Sequence, residues 1–239
     1  MSEVIEFYNK FSERQISTGI NNRHISILHR LKDAGLKKND TVLEVGCGVG
    51  TVSELILRFL SDQGSLHAVD ISPLSIQAAS RLTLKYSNSI FEVRDLTQEV
   101  LTFKFDVIVL PDVIEHIPFP LHLNFFSNLY MMLKDNGWIF IHIPHPNYLQ
   151  WLINTNSKEL QIVDQPVHTD VFLAKVYSAG FHLHALQSYS IYTQEDDYQL
   201  LILKKSLTHG NYEKQGTHFQ VSWMQRLLDK LRYFVRGLK

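Results

Sequence analysis

The sequence predicts an α/β chain: a doubly wound, mostly parallel seven-stranded sheet with a C-terminal antiparallel hairpin, an N-terminal helical lid and a C-terminal basic amphipathic helix. Three observations predict it. From residue 41 onward, short β-branched runs alternate with helix-period stretches, as in repeated strand–helix–strand units. Val107-Ile108-Val109-Leu110 is apolar without alternation, as a strand covered on both faces requires. The last two strand-like runs are joined only by the short polar stretch Thr193–Asp197, and such a connection makes antiparallel neighbours.

The elements follow in order. Ile5, Phe7, Tyr8 and Phe11 share one face of a first short helix; Ile25, Leu28 and Leu31 mark a second, stopped at Gly35. Strand-like runs occupy Thr41–Val45, Leu66–Val69, Ile90–Val93, Phe105–Leu110, Trp138–Ile143, Leu183–Ile191 and Tyr198–Leu203. Helices are expected over Val52–Leu60, Pro73–Tyr86 with proline at its first position, Pro120–Leu133, and Asp170–Ala179 closed by Gly180. Residues 144–168 read as a long loop rich in aromatic and polar side chains, among them Tyr148, Trp151, Asn154, Asn156 and Gln161.

Composition narrows the function classes. The 239 residues carry 23 Lys+Arg against 24 Asp+Glu, a net charge of −1, so there is no overall basic footprint for nucleic acid. One cysteine excludes an internal disulfide and any multi-cysteine metal cluster. No apolar run reads as a signal peptide or membrane span, so a cytoplasmic chain is expected.

The sharpest motif is Val42-Leu-Glu-Val-Gly-Cys-Gly-Val-Gly50. A strand runs into Gly46, Gly48 and Gly50 just before a helix, where a tight turn and a ligand against the backbone both favour residues without a Cβ. The spacing G-x-G-x-G differs from the dinucleotide G-x-G-x-x-G and disfavours a dinucleotide oxidoreductase. Glu44 beside the turn suits a ligand bearing an ammonium or sulfonium charge. Asp70, 20 residues after Gly50, ends the second strand, where a carboxylate accepts two hydrogen bonds from a ribose diol.

Together VLEVGCGVG, HAVDIS, FDVIVLPDVIEHI and GWIFIHIP resemble class I S-adenosylmethionine-dependent methyltransferases, over roughly residues 38–204. The resemblance implies that Gly46, Gly48 and Gly50 pack against the methionine and ribose of the cofactor. It implies that Asp70 with Ile71 holds the ribose, Asp95 and Leu96 the adenine, and Leu110 and Pro111 the methionyl end. The chain then divides into a helical cap (1–37), a cofactor-binding domain (38–204) and a linker with tail helix (205–239).

The fourth strand ends in Leu110-Pro-Asp-Val-Ile-Glu-His116, without the diproline clamp of amino-group methylation. Asp112, Glu115 and His116 are similar to the E-x-x-E-H set of ubiquinone-biosynthesis O-methyltransferases, which implies a divalent cation there, although aspartate replaces the first glutamate. At helical spacing the three side chains would converge. The other role for Glu115 and His116 is proton transfer, since an attacking hydroxyl must lose its proton to a base such as histidine. Arg23, in Ile20-Asn-Asn-Arg23, resembles the arginine that grips the cofactor carboxylate in that subfamily. His168, before the last helix, is the second base candidate, and His142 and His145 flank the fifth strand's end.

The expected reaction is O-methylation of a small-molecule or glycan hydroxyl, as in ubiquinone and bacterial surface-polysaccharide pathways; the alternative is a non-catalytic cofactor-binding partner or sensor. Residues 217–239 carry five Lys/Arg and one Asp, with apolar residues at 224, 227, 228, 231, 234, 235 and 238. Such a helix fits peripheral contact at the inner membrane surface, or packing on its own domain or on a second subunit of a homodimer.

Overall fold

The computed structural model describes residues 2–206; the amphipathic tail at 217–239 and all but the start of the linker lie outside them. Helix α1 (Ser2–Thr18) is followed by α2 (Asn22–Asp33). Asn21 starts α2 as a reciprocal cap: its side chain accepts from the Arg23 and His24 N–H groups, and His24 Nδ1 accepts from the Asn21 N–H at 3.1 Å.

The alternating part is then built from β1 (Thr41–Val45), α3 (Thr51–Phe59), β2 (Ser65–Asp70), α4 (Pro73–Leu82), β3 (Ser89–Val93) and β4 (Phe105–Pro111). It continues through α5 (His122–Met132), β5 (Leu133–Pro144), α6 (Pro146–Asn154), α7 (Thr169–Ser178), β6 (Phe181–Tyr189) and β7 (Tyr198–Lys205). The seven strands form one sheet in the order β3-β2-β1-β4-β5-β7-β6. Strands β1–β5 pair in parallel, while β7 runs antiparallel to both β5 and β6.

Two helices depart from the expected bounds. Helix α4 stops at Leu82 rather than Tyr86, where the Thr83 hydroxyl turns back to donate to the Ala79 carbonyl at 2.8 Å. Helix α6 replaces the first part of the expected loop. It has Pro146 at its first position, and His145 caps it by accepting from the Asn147 N–H.

Strand alternation sorts the core onto two faces. Leu43, Ile108, Leu110, Ile139 and Ile141 pack with Phe125, Phe126, Phe172 and Val176 of α5 and α7. Val42, Val107, Val109 and Phe140 pack with Ile27, Leu31, Val52, Ile56 and Ala79 of α2, α3 and α4. Both faces of the central strands are dry, which explains their unbroken apolar runs. The strand order reverses between β1 and β4, so the crevice at the carboxyl ends of these strands is where such a sheet receives a ligand. Among the described residues, no helix is long and apolar enough to cross a membrane.

Candidate active site

A cavity of about 890 Å³ opens at that crevice, a size typical of small-molecule sites. Val45, Gly46 and Gly48 floor it from β1, Val69, Asp70 and Ile71 from β2, and Pro111 from β4. Tyr8, Phe11, Arg14 and Gln15 of α1 cover it, and the Ser72 hydroxyl ties this helix down by donating to Asn9 Oδ1 at 2.7 Å.

The glycine turn is held by Asp70, whose two oxygens accept from the Gly48 N–H at 2.9 Å and the Ser72 N–H at 2.8 Å. Burial pushes the Asp70 carboxyl upward, against these backbone donors. Gly48 faces the cavity at φ +53°, and a Cβ there would meet only the flexible end of Gln15 at 3.0 Å. Gly50 has a different role from the expected one. It stands outside the cavity lining at φ +86°, and a Cβ would lie 2.9 Å from the Ala79 Cα, so it lets α3 and α4 approach each other rather than touching a ligand.

Two further cofactor candidates also lie elsewhere. Leu110 is fully buried on the α5 side of β4 and leaves the lining to Pro111. Glu44 is fully buried beneath the turn, where its Oε2 accepts from the Ser53 hydroxyl at 2.5 Å while Oε1 has no partner. Burial raises its pKa to about 8, so near neutral pH the side chain is largely uncharged and offers no counter-charge to a sulfonium. Ile71, Asp95 and Leu96 do line the cavity. Asp95 also accepts from the Thr97 N–H and hydroxyl and from Gln98, which fixes the turn after β3.

The D-x-x-E-H set does not converge. Asp112 sits at the end of β4 in a left-handed turn (φ 56°), and only Ile114–His116 wind, as a short 3₁₀ turn, so helical spacing does not apply. The Asp112 carboxylate is spent on an ion pair with Arg23 and on His142, whose Nδ1–H donates to it at 2.6 Å. Burial first, then Arg23 and Arg30, push His142 well below its usual pKa and keep it neutral. Among the described residues no group of three His, Cys, Asp or Glu side chains could hold a metal ion. The donors present therefore do not fit the divalent cation that the resemblance implies at Asp112, Glu115 and His116. Arg23 lines the cavity with Asp112 as its partner.

His116 stands at the cavity wall with each nitrogen differently placed. Its Nδ1 lies 2.6 Å from the Val163 carbonyl and 3.1 Å from Asp164 Oδ1; both are acceptors, so Nδ1 carries the proton. Nε2 lies 3.8 Å from Glu115 Oε1, beyond hydrogen-bond reach, and the Tyr8 ring stands edge-on at a centroid distance of 6.3 Å. Burial disfavours the imidazolium, but Glu115, Asp164 and the Val163 carbonyl outweigh it and raise the His116 pKa. Burial likewise raises Glu115, whose Oε2 has no partner.

His24 also lines the cavity, whereas the remaining candidate histidines stand apart from it. His168 is exposed at the start of α7, caps it with no side-chain hydrogen bond and stands outside the cavity lining. His145 is spent on capping α6, and His142 is buried against Tyr198 at a centroid distance of 4.7 Å. Of the loop residues singled out, Tyr148 and Gln161 line the cavity, whereas Trp151 is 56% exposed. Val163, Asp164, Tyr192 and Tyr198 also line it. Sequence reasoning misses these four, since long-range folding alone brings them to the mouth of β4.

Residues 43–139 match the family model described as "Methyltransferase domain". The mitochondrial ubiquinone biosynthesis O-methyltransferase of Candida albicans is 28% identical over 66% of this chain and 50% of its own. The ubiquinone biosynthesis O-methyltransferase of Leptothrix cholodnii is 24% identical over 60% and 56%. The chain spans about half the length of these curated relatives. Magnesium protoporphyrin IX methyltransferase from Synechocystis PCC 6803, solved with bound SAH, superposes with a TM-score of 0.60 at 20% identity, covering 77% of this chain and 81% of that one. Sequence match and sheet architecture meet over the same strands: residues 43–139 match a methyltransferase-domain model, and the sheet has the fold of S-adenosylmethionine-dependent methyltransferases.

Proposed function

We propose that this chain methylates a hydroxyl group of a small-molecule or glycan acceptor, with S-adenosylmethionine as donor. The observation that carries the reading is His116: a histidine at the cavity wall, its Nδ1–H given to the Val163 carbonyl beside Asp164 and its Nε2 beyond hydrogen-bond reach of Glu115. The O-methyltransferase names of the similar curated proteins support oxygen as the acceptor atom.

The fit to the cofactor rests on the floor of the cavity. Gly46 and Gly48 leave the backbone bare, and Asp70 stands at the end of β2 to accept from a ribose diol. Leu96 offers an apolar face and Asp95 a carboxylate for an adenine, while Arg23 keeps guanidinium N–H groups for a carboxylate. Bound S-adenosylmethionine supplies a sulfonium methyl group open to in-line displacement. His116 Nε2 takes the acceptor's hydroxyl proton as its oxygen forms the new bond to the methyl carbon; the electron pair of the broken C–S bond stays on sulfur. Glu115 and Asp164 stabilise the imidazolium that results. Tyr8, Phe11 and Tyr148 exclude water and give a flat acceptor its contact surface.

The test is incubation with methyl-labelled S-adenosylmethionine and a panel of phenols, catechols and sugars. The reading expects label on oxygen in at least one product and its loss in His116→Ala. Label on nitrogen or carbon, or unchanged transfer by the variant, contradicts it.

A further inference from the structure

We propose that Asp164, on the loop between α6 and α7, is the positioning residue that holds His116 with its Nε2 open toward the acceptor. The purpose of that nitrogen rests on the methyl-transfer reading; the hydrogen-bond geometry stands independently of it.

Three contacts strap this loop onto the 3₁₀ turn that bears His116. The Gln165 N–H donates to the Glu115 carbonyl at 3.1 Å, and the Gln165 side chain donates to the Ile117 carbonyl. The third is the Nδ1–H of His116, which donates to the Val163 carbonyl at 2.6 Å while Asp164 Oδ1 makes an ion-pair contact with the same nitrogen at 3.1 Å. The other Asp164 oxygen accepts from the Gln161 N–H, so the carboxylate also sets the bend that presents the Val163 carbonyl. Removing Asp164 therefore loosens both acceptors at once. The Asp164 and His116 side chains are only 10% and 12% exposed, so water competes weakly for these bonds. The Val163 carbonyl takes the hydrogen bond, and the Asp164 carboxylate adds a negative charge beside the same nitrogen, which favours a proton there.

A ring nitrogen that faces a carbonyl and a carboxylate must be the protonated one, which leaves the other as the proton acceptor. Moving the proton to Nε2 would turn the Nδ1 lone pair against two oxygens, and flipping the ring would leave them facing a carbon. The carboxylate thus decides which nitrogen does the chemistry without touching the substrate.

The experiment is a long-range proton–nitrogen correlation spectrum of the full chain labelled with ¹⁵N-histidine, with His116 assigned by loss of its signals in His116→Gln. In the unsubstituted protein His116 is expected to show a proton-bearing Nδ1 and a lone-pair Nε2. In Asp164→Ala and Asp164→Asn this single pattern is expected to give way to a mixture of both tautomers. With the spectrum taken at a pH high enough that the ring is neutral, a proton on Nε2 in place of Nδ1 in the unsubstituted protein overturns the proposal, and that spectrum needs no variant to fold. An unchanged pattern in both folded variants overturns it equally. Failure of the unsubstituted chain to bind S-adenosylmethionine would instead count against the methyl-transfer reading and leave the tautomer result standing.

Discussion

Replacing His116 by alanine removes the proposed proton acceptor but no part of the cavity floor. Turnover is expected to fall by roughly 10²–10⁴-fold, the usual range for a general base, with cofactor affinity retained. In the unsubstituted protein turnover should rise with pH through a pKa above 6.5, because Glu115 and Asp164 favour the imidazolium and the base must be unprotonated to act. A pH profile that is flat across that range contradicts the assignment. Glu44 gives an opposite kind of prediction, one about stability. Its folded pKa of about 8 lies above the ordinary 4.5, so the folded state binds the extra proton between these values. Its favourable share of stability is complete below pH 4.5 and lost as pH climbs through 8. Glu44→Gln should therefore unfold at a higher temperature than the unsubstituted chain at pH 9, by a margin on the order of a few kcal/mol, and together with it near pH 5. Equal melting at both pH values would show that the Glu44 environment is more polar than its burial implies.

Packing of α3 against α4 depends on the absence of a side chain at Gly50. Gly50→Ala imposes a left-handed conformation on a residue with a Cβ and drives that Cβ into Ala79, for a loss of about 1–3 kcal/mol in urea unfolding. Helix α1 is the converse case, an element whose value lies in the site. Deleting residues 1–19 removes Tyr8, Phe11 and Gln15 from above the cavity and should weaken cofactor affinity about tenfold or more by calorimetry, with the sheet's circular dichroism preserved. Unchanged affinity would make α1 an ornament of the fold rather than a cover. The strands were legible in the sequence because two-sided burial writes itself as unbroken apolar runs such as Val107–Leu110. Helix α6 was not. Its 9 residues begin among the prolines of His-Ile-Pro-His-Pro, which read locally as loop, and Leu149 and Leu152 reveal their buried face only once the sheet is in place.

At the scale of the whole molecule, what was legible of the site is the part made by the two successive βα turns after β1 and β2. Gly46, Gly48, Asp70 and Ile71 lie within one strand–helix–strand unit, and local chemistry fixes their geometry. What was not legible is the part assembled from distant segments. Asp112 looked like a partner of Glu115 and His116, yet the fold brings Arg23 and His142 to it instead. Asp164 reaches His116 across 48 positions of sequence, and no local pattern announces such a pair. His168 carried the right chemistry in the right order along the chain, but its side chain is exposed and away from the cavity. The central claim joins both parts: the crevice between β1 and β4 binds S-adenosylmethionine on Asp70 and the glycine turn, and His116 beside it acts only in the chemistry. The most direct measurement is calorimetric titration of the full chain and of Asp70→Ala and His116→Ala with S-adenosylmethionine and, separately, with nicotinamide dinucleotides. Saturable binding of S-adenosylmethionine by the unsubstituted chain and by His116→Ala, lost in Asp70→Ala, is the predicted result. Binding of a dinucleotide in its place, or binding of S-adenosylmethionine that survives Asp70→Ala undiminished, would contradict it.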